Sequence, residues 1–397
     1  MKRFEVVIAG GGLAGTALAI ALGQAGRKVA LIEASPRRAD SRPSFDDRTL
    51  VVNAASLNIL TNLGILDTRL NICPIRQIDI TRAGAPGHLN LRASAYGCER
   101  FGAVIVAREL GAAMLDTLGH TDRIQEFCPA RLTSFKATDK QVDISLENGD
   151  RLTADLLVGA DGTGSQVREL AGIDCYRHDY GQSAMIFNVL TERRWPDTAF
   201  ERFTSSGPLA LLPQPAGRMG VVWIDDNRNI RDALTWSEET LTNRLYERFG
   251  KGLGRFSTPG KRTSYPLALV RTDNPVGRRI VLIGNAANTV HPVSAQGFNL
   301  GLRDVAALTD LATNADDPGS TDCLGQYQDL RRHDQLSTVS YTDTLARAFT
   351  NPSLGGQLAS SLGLVAHAAW PSLSRRLVRS AMGFREPVST LAREPET

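Results

Sequence analysis

Two short runs of apolar residues near the start of the chain predict buried strands. Val6 to Ala9 forms the first run and Val29 to Ile32 forms the second. Unbroken apolar runs of this length are typical of parallel strands that are covered on both faces. Between them, Leu13 to Gln24 has the alanine and leucine content of a buried helix. A strand, a helix and a strand joined by tight links predict a βαβ unit.

Farther along the chain, apolar and polar residues alternate, which predicts strands with one face in the core. Ile78 to Thr81 and Val142 to Leu146 both alternate, and Asn148-Gly149 after the second of them is a hairpin turn signal. Further strand-like pieces are Met185 to Leu190, Leu209 to Leu212 and Val221 to Ile224. This part of the chain is therefore predicted to be rich in β-sheet.

Two later runs return to the buried parallel pattern, namely Asp155 to Ala160 and Arg279 to Ile283. The order of the patterns predicts an α/β fold in which a Rossmann-like nucleotide-binding domain is built from separated pieces, with a β-rich domain inserted between them. We assign residues 1–71, 99–175 and 271–350 to the first domain, 72–98 and 176–270 to the β-rich domain, and 351–397 to a C-terminal helical segment.

The composition is that of an ordinary globular protein. The chain has 397 residues, of which 42% are hydrophobic and 22% are charged. The formal net charge of +3 gives no electrostatic reason to expect nucleic acid as a partner. The five cysteines are scattered and form no C-x-x-C pair, which argues against a disulfide framework and against a structural metal site. A reducing compartment is the simpler interpretation.

Both ends of the chain bear on its location. The N-terminus runs into the first predicted strand without a signal-peptide apolar segment, and no apolar run approaches the ~20 residues of a transmembrane helix. We therefore expect a cytoplasmic protein. Ser372 to Arg385 places Leu373, Leu377 and Met382 near one helical face with arginines around it. Such a basic helix either packs on its own protein or rests peripherally on the inner membrane, and the sequence leaves both open.

The segment between the first strand and the helix fits G-x-G-x-x-G, with Gly10, Gly12 and Gly15 at the glycine positions. The first glycine permits a tight turn, the second lets a pyrophosphate approach the backbone, and the third allows close helix packing. The helix N-terminus also attracts phosphate. Glu33 ends the second strand about twenty residues later, where a carboxylate accepts hydrogen bonds from a ribose diol. The combination predicts a dinucleotide site and leaves NAD and FAD open.

Two further polar segments follow the later apolar runs. Asp161 and Gly162 come after the first of these runs, and they form either a simple turn or part of the nucleotide site. The other segment leads into a predicted helix and contains Asn285, His291, Gln296, Gly297, Asn299 and Asp304. Glycines there would let the backbone lie against a flat ring, and a helix N-terminus could stabilise negative charge on a reduced flavin.

With these three segments in this order, the chain resembles the group A FAD-dependent aromatic hydroxylases over nearly its whole length. The resemblance implies a p-hydroxybenzoate hydroxylase-like fold. It assigns FAD contacts to Gly10, Gly12, Gly15, Glu33, Asp161, Gly162, Asn285, Gly297 and Asn299.

A narrower resemblance lies in the third segment. His291 to Asp304 is similar to the signature of the ubiquinone-biosynthesis hydroxylases, from which Ser294 and Ala295 depart, with alanine standing where that family has glycine. Three more segments resemble most the bacterial 2-polyprenyl-6-methoxyphenol hydroxylases of this family: Ala199 to Thr204, Gly207 to Pro213 and Gly260 to Leu267.

Three polar positions outside the glycine motif take their roles from the same resemblance. Arg48 matches an arginine that contacts the flavin, and Arg108 matches a polar position ahead of the predicted helix Leu110 to Leu118. A guanidinium binds a diphosphate bidentately, although either residue could also be an ordinary surface arginine. Asn285 stands where the wider family has aspartate, and it could still hydrogen-bond the ribityl chain.

The resemblance implies an enzyme that uses FAD, O2 and a transiently bound NADH or NADPH. Reduced FAD and O2 would form a C4a-hydroperoxide that hydroxylates the ring of a polyprenylated phenol in ubiquinone biosynthesis. His291 and Gln296 are the catalytic candidates, because the family places this loop beside the flavin ring, and a structural role for His291 is equally compatible. A ubiquinone-biosynthesis protein complex and the membrane surface are further implied partners.

Two alternatives to this hydroxylase stay open. One is another flavoenzyme on the same scaffold, such as a prenyl reductase or a halogenase. The four tryptophans are isolated from one another, which disfavours the halogenase because that class carries a W-x-W-x-I-P segment. The other alternative is a flavin-holding subunit whose main task is docking in a biosynthetic complex.

Overall fold

The computed structural model describes residues 1–36, 48–67, 70–84, 88–350, 375, 378–384 and 388–394, with the backbone alone at 348–350. The helices are α1 Leu13–Gln24, α2 Ala54–Asn62, α3 Ala107–Gly119, α4 Gln166–Leu170, α5 Asn227–Thr235, α6 Glu238–Phe249, α7 Gln296–Asn314 and α8 Thr321–Thr350. The strands are β1 Lys2–Ala9, β2 Val29–Ile32, β3 Thr49–Asn53, β4 Cys73–Ile75, β5 Gln77–Arg82, β6 His88–Arg92, β7 Gly102–Val106, β8 Ile124–Phe127, β9 Leu132–Ala137, β10 Val142–Leu146, β11 Arg151–Gly159, β12 Tyr176–Thr191, β13 Thr198–Thr204, β14 Gly207–Pro213, β15 Arg218–Asp226, β16 Phe256–Ser257, β17 Thr263–Arg271, β18 Val276–Gly277, β19 Ile280–Leu282 and β20 Asn288–Thr289.

The first sheet contains the predicted βαβ unit. Its strand order is β18-β19-β11-β1-β2-β8, with β10 beside β11 and β9 beside β10. β1 runs parallel to β2 and β11, and β11 runs parallel to β19. Helices α1 and α7 pack together against β1. The bounds of α1 and β2 are those predicted, and β10 and β11 form the hairpin expected at Asn148-Gly149.

The second sheet is mainly antiparallel and contains β5, β6, β12 to β17 and β20. One of its faces is covered by α5 and α6, whose Ile230, Leu241 and Leu245 pack on strand residues such as Phe187. These two helices add to a region expected to be β-rich. Leu241, Leu245 and Phe249 recur every four residues, which is the helical signal that the alternating strands around them obscured. The opposite face points toward α8 and the loop at Val293.

A small third sheet, in the order β3-β7-β4, lies between the two larger ones. Asn53 is the last residue of β3. Its side chain caps α2 by accepting a hydrogen bond from the Ser56 amide at 3.0 Å. Helix α3 begins at Ala107, directly after β7, so it starts earlier than the predicted Leu110. Arg108 therefore lies in its first turn rather than ahead of it.

The C-terminal segment is described only in part. Leu373 and Leu377 of the predicted basic helix lie outside the described residues, whereas 378–381 are helical. Val378 and Met382 pack into an apolar cluster with Val293, and the Met382 carbonyl accepts a hydrogen bond from the Ala55 amide at 3.0 Å. This part of the chain thus packs on its own protein. Within the described residues, no helix has the length and apolar character that crossing a membrane requires.

Candidate active site

Four loops meet at one edge of the first sheet, because each follows the carboxyl end of a parallel strand. Gly10 follows β1, Glu33 follows β2, Asp161 follows β11 and Gly284 lies just after β19. Backbone hydrogen bonds of 2.8–3.0 Å tie each of these four loops to the end of a neighbouring strand. The structure therefore brings together the three segments that the sequence singled out.

The first glycine loop is shaped by close backbone contacts. Gly10 has φ 108°, and a Cβ added there would lie 2.5 Å from the carbonyl carbon of Ala160 and 2.7 Å from the amide nitrogen of Asp161. A Cβ on Gly15 would overlap the carbonyl oxygen of Gly10. Gly12 caps α1 in an extended conformation. The loop thus leaves the N-terminus of α1 open to a ligand, where amide groups attract phosphate.

Glu33 lies beside this loop. One of its carboxylate oxygens accepts a hydrogen bond from the Gly11 amide at 2.7 Å, and the other accepts one from the Ser35 amide at 2.7 Å. A carboxylate offers about four lone-pair sites, so capacity remains for ribose hydroxyls.

Asp161 holds its own segment in shape. Its Oδ2 accepts hydrogen bonds from the amides of Gln166 and Val167 at 2.7 and 3.0 Å, and its Oδ1 accepts one from the Ser165 hydroxyl at 2.5 Å. Gly162 next to it has φ 83°, a conformation that favours glycine. With its carboxylate engaged at the start of α4, Asp161 would act on a cofactor through the position of this loop rather than by direct contact.

Arg168, which lies in α4 just after the Asp161-Gly162 segment, joins the second segment to the third. Its side chain is buried, and its guanidinium donates to the carbonyl oxygens of Ala286 at 2.7 Å and Thr163 at 2.8 Å. These bonds cross between two loops that are far apart in sequence. Only the tertiary structure shows them.

A buried carboxylate holds the third segment in place. Asp304 is 0% exposed, and its Oδ2 accepts a hydrogen bond from the Gly284 amide at 3.0 Å. Its Oδ1 accepts bonds from Arg331 at 2.8 Å and Gln335 at 3.0 Å, both on α8. Asn285, next to this anchored turn, is exposed. Its side-chain amide is therefore placed to reach a ligand at the sheet edge.

The loop ahead of α7 has an unusual backbone. Ser294 and Ala295 have φ values of 63° and 51°, in the left-handed region that costs an L-residue about 1–2 kcal/mol. Ala295 thus adopts the conformation that glycine would take, and strain of this kind is concentrated at functional sites. Gln296 is buried and donates to the Ser294 carbonyl at 3.3 Å. A Cβ on Gly297 would make only an ordinary 3.6 Å contact, so the protein's own packing does not require glycine there.

Asn299 braces this loop. Its Nδ2 donates to the carbonyl oxygens of Val51 at 2.9 Å and Ala295 at 2.8 Å, and its Oδ1 accepts a hydrogen bond from the Asn53 amide at 2.9 Å. The side chain is 1% exposed. This geometry favours an indirect role at the cofactor, in which Asn299 holds the start of α7 against β3.

His291 is buried beside the second sheet. Its Nδ1 accepts a hydrogen bond from the Val293 amide at 3.2 Å, so the proton of the neutral ring lies on Nε2, which has no hydrogen-bond partner among the described residues. The ring packs edge-on against Tyr180 at 5.0 Å between centroids, and the Tyr180 hydroxyl donates to Asp343 at 2.8 Å. Burial lowers the pKa of His291 to about 4. His291 is therefore a neutral donor at physiological pH rather than a general base.

This low pKa predicts a pH-dependent loss of stability. Folding keeps His291 neutral while the unfolded chain binds a proton below a pKa of about 6.5, so the free energy of unfolding falls as the pH drops from 6.5 toward 4. Between pH 7 and pH 5 this one residue should remove about 2 kcal/mol. Urea unfolding of the wild type and of His291→Gln at both values measures it. An identical pH dependence in the two proteins would contradict the prediction.

The two predicted arginines come from adjacent backbone. The Ala107 amide donates to the Arg48 carbonyl at 2.9 Å, so Arg48 ahead of β3 and Arg108 in the first turn of α3 enter the site from neighbouring positions. The Arg48 guanidinium lies over the Tyr265 ring, 5.2 Å from its centroid. Arg108 is exposed. Both positions suit the recognition of phosphate or flavin oxygens.

These residues fit an FAD cofactor. The glycine loop leaves a cradle that a Cβ would fill, the α1 N-terminus faces it, and His291 offers a buried donor for which the described part of the chain provides no acceptor. A parallel sheet that carries these groups beside an antiparallel sheet with an apolar face defines an FAD-dependent oxidoreductase of the aromatic hydroxylase class.

Comparisons with known proteins agree with this class. A family model described as an FAD binding domain matches residues 3–339. The ubiquinone hydroxylase UbiL of Rhodospirillum rubrum is 36% identical over 96% of this chain and 90% of that protein. The 3-demethoxyubiquinol 3-hydroxylase of Escherichia coli is 32% identical over 96% of this chain and 98% of that protein. The crystal structure of the p-nitrophenol 4-monooxygenase PnpA from Pseudomonas putida has a TM-score of 0.79 at 18% identity, and covers 97% of this chain and 100% of that chain.

The chain belongs to the FAD-dependent aromatic hydroxylases and, within them, to the family of ubiquinone-biosynthesis hydroxylases. The resemblance read from its three motifs is confirmed, as are the p-hydroxybenzoate hydroxylase-like fold and FAD as the cofactor.

Proposed function

We propose that this enzyme hydroxylates the aromatic ring of a polyprenylated phenol in ubiquinone biosynthesis, with NAD(P)H as a transient electron donor. Two relatives, a ubiquinone hydroxylase and a 3-demethoxyubiquinol 3-hydroxylase, support the substrate class. The observation in the structure that favours it is a buried apolar cluster that includes Val293 of the loop ahead of α7.

That apolar cluster lies on the second sheet. Leu89 and Leu91 from β6, Phe203 from β13 and Leu212 from β14 form one apolar cluster with Val293 of the loop that precedes α7. Ala346 of α8 belongs to the same cluster. A phenol with an isoprenoid chain would need apolar side chains of this kind around it, since sites for such ligands are lined mainly by apolar residues.

The site residues would divide the work as follows. Glu33, Arg48, Arg108 and Asn285 would contact FAD, which supplies the reduction of O2 and the transfer of one oxygen atom. The neutral His291 would donate a hydrogen bond from Nε2 to the bound ligand, and Gln296 would fix the loop at the start of α7.

The test begins with the purified protein and its visible spectrum, from which FAD should be released on denaturation. Prenylated phenols are then supplied with NADH or NADPH and isotopically labelled O2, and the product is analysed by mass spectrometry. One labelled oxygen atom on the ring is expected. Reduction of the prenyl chain without incorporation of oxygen would overturn the proposal in favour of a prenyl reductase. Absence of turnover despite bound FAD would favour a flavin-holding subunit.

A further inference from the structure

A carboxylate interrupts the apolar face of the second sheet. Glu201 lies on β13 between Ala199 and Phe203, and side chains two residues apart on a strand share one face. Both of these neighbours belong to the apolar cluster that contains Val293. Across the sheet, Glu201 is in register with Ile80 of β5 and Ala210 of β14. Its neighbours along and across the strands on this face are therefore apolar, and Glu201 itself is partly exposed.

This face is the one that points toward Val293, in the loop ahead of α7. Phe200 pairs with Leu211 of β14, so Ala199 lies opposite Leu212. Leu212 packs with Val293. Glu201 is two residues farther along β13, a displacement of about 7 Å at the usual rise per residue. The carboxylate thus lies between two residues of the apolar cluster beside which a phenol is proposed to bind.

The electrostatic surroundings of Glu201 are unlike those of the other carboxylates on this sheet. Asp225 is paired with Arg248, and Asp79 with His88. For Glu201, burial is the sole cause that raises its pKa to about 7, with no offsetting hydrogen bond or cation from the described part of the chain. Two ionisable groups face this region, Tyr341 from α8 and Arg82 from the same face of β5.

We propose that Glu201 binds the hydroxyl group of the phenolic substrate and accepts its proton as the ring is hydroxylated, an inference that rests on the proposed function. The phenol O–H bond breaks and a new O–H bond forms on the Glu201 carboxylate. The electron pair stays on the phenol oxygen and makes the ring more electron-rich, which favours attack by an electrophilic oxygen atom. A phenol ordinarily has a pKa near 10, so a carboxylate of raised pKa is a better matched acceptor than an ordinary glutamate.

The experiment compares the wild-type holoenzyme with Glu201→Gln in two measurements. The first is the binding of a prenylated phenol and of its O-methyl ether, followed by the change in flavin absorbance. The wild type should bind the phenol roughly 10-fold to 100-fold more tightly than the ether, as expected for a charged hydrogen-bond acceptor, and the variant should lose this preference.

The second measurement is the pH profile of hydroxylation. Because Glu201 must be ionised to accept the proton, the rate of the wild type should rise as the pH increases through about 7. Glu201→Gln should be slower by roughly 100-fold and should lack this rise. Glu201→Asp keeps a carboxylate one methylene shorter, so it should retain the rise at a reduced rate.

Glu239→Gln is the matched control, because Glu239 is exposed on α6, which packs on the opposite face of the sheet. It should behave as the wild type in both measurements. A Glu201→Gln protein that holds FAD, distinguishes the phenol from the ether and keeps the wild-type pH profile would overturn the inference. If the wild type binds the phenol in preference to the ether but never hydroxylates it, the proposed function fails while the role of Glu201 in binding stands.

Discussion

Replacing Gly10 with alanine should abolish FAD binding and destabilise the protein by about 3 kcal/mol or more. The added Cβ would lie 2.5 Å from the carbonyl carbon of Ala160 and 2.7 Å from the Asp161 amide nitrogen, both of them backbone atoms that cannot move alone. The φ of 108° is also unfavourable for alanine. Two segments of the cofactor site would therefore be pushed apart. Flavin absorbance of the purified variant and urea unfolding measure the two effects.

Gly26→Ala is the matched control for this prediction. Gly26 follows α1 in the same βαβ unit and has φ 88°, but no atom lies within 4 Å of an added Cβ. It should cost about 1–2 kcal/mol through backbone strain alone and leave FAD bound. Equal loss of flavin in the two variants would show that strain, and not the close approach to Ala160, governs the site.

Replacing Asp304 with asparagine should destabilise the protein by about 3 kcal/mol and weaken FAD binding. Asp304 is fully buried and accepts hydrogen bonds from Arg331, whose side chain is only 7% exposed, and from the Gly284 amide. The substitution removes one of the two carboxylates that pair with the buried Arg331 guanidinium. Breaking a buried ion pair in this way typically costs about 3–5 kcal/mol. It also loosens the turn that carries Asn285. Urea unfolding and titration of the apoprotein with FAD test both consequences.

Asp310→Asn provides the comparison on the same helix. Asp310 is partly exposed, and its carboxylate accepts a hydrogen bond from the Thr390 amide at 2.8 Å, which an asparagine oxygen can also accept. Its effect should stay within about 1 kcal/mol, with FAD binding unchanged. If Asp304→Asn were as mild as this control, the buried ionic network would not be what fixes the third segment.

The local elements of the cofactor domain could be predicted well from the sequence. The first two strands and α1 were visible as apolar runs around a glycine motif, because buried parallel strands and a helix packed on them leave an unbroken apolar signal. The hairpin at Asn148-Gly149 and the family itself were predictable for a similar reason. Turn residues and motif spacings are properties of contiguous chain.

The part of the chain that forms the second sheet was less predictable. Helices α5 and α6 lie among antiparallel strands, and their short apolar repeats were not distinguished from strand alternation. The contacts of Arg168 and Tyr180 could not be predicted either, because each side chain bonds to a group more than one hundred residues away in sequence. A lone residue without a local motif gives no sign of such partners.

The sequence by itself determined the family, the FAD cofactor and the order of the three segments that build the site. It named Asp161 and Asn299 as cofactor contacts, which stays a prediction, and only the tertiary structure shows which groups of the protein their side chains bond to. Asn299, for example, bonds to Val51, which is 248 residues earlier in the chain. Only folding decides which groups a polar side chain meets, because hydrogen bonds act over about 3 Å in space and are indifferent to distance along the chain.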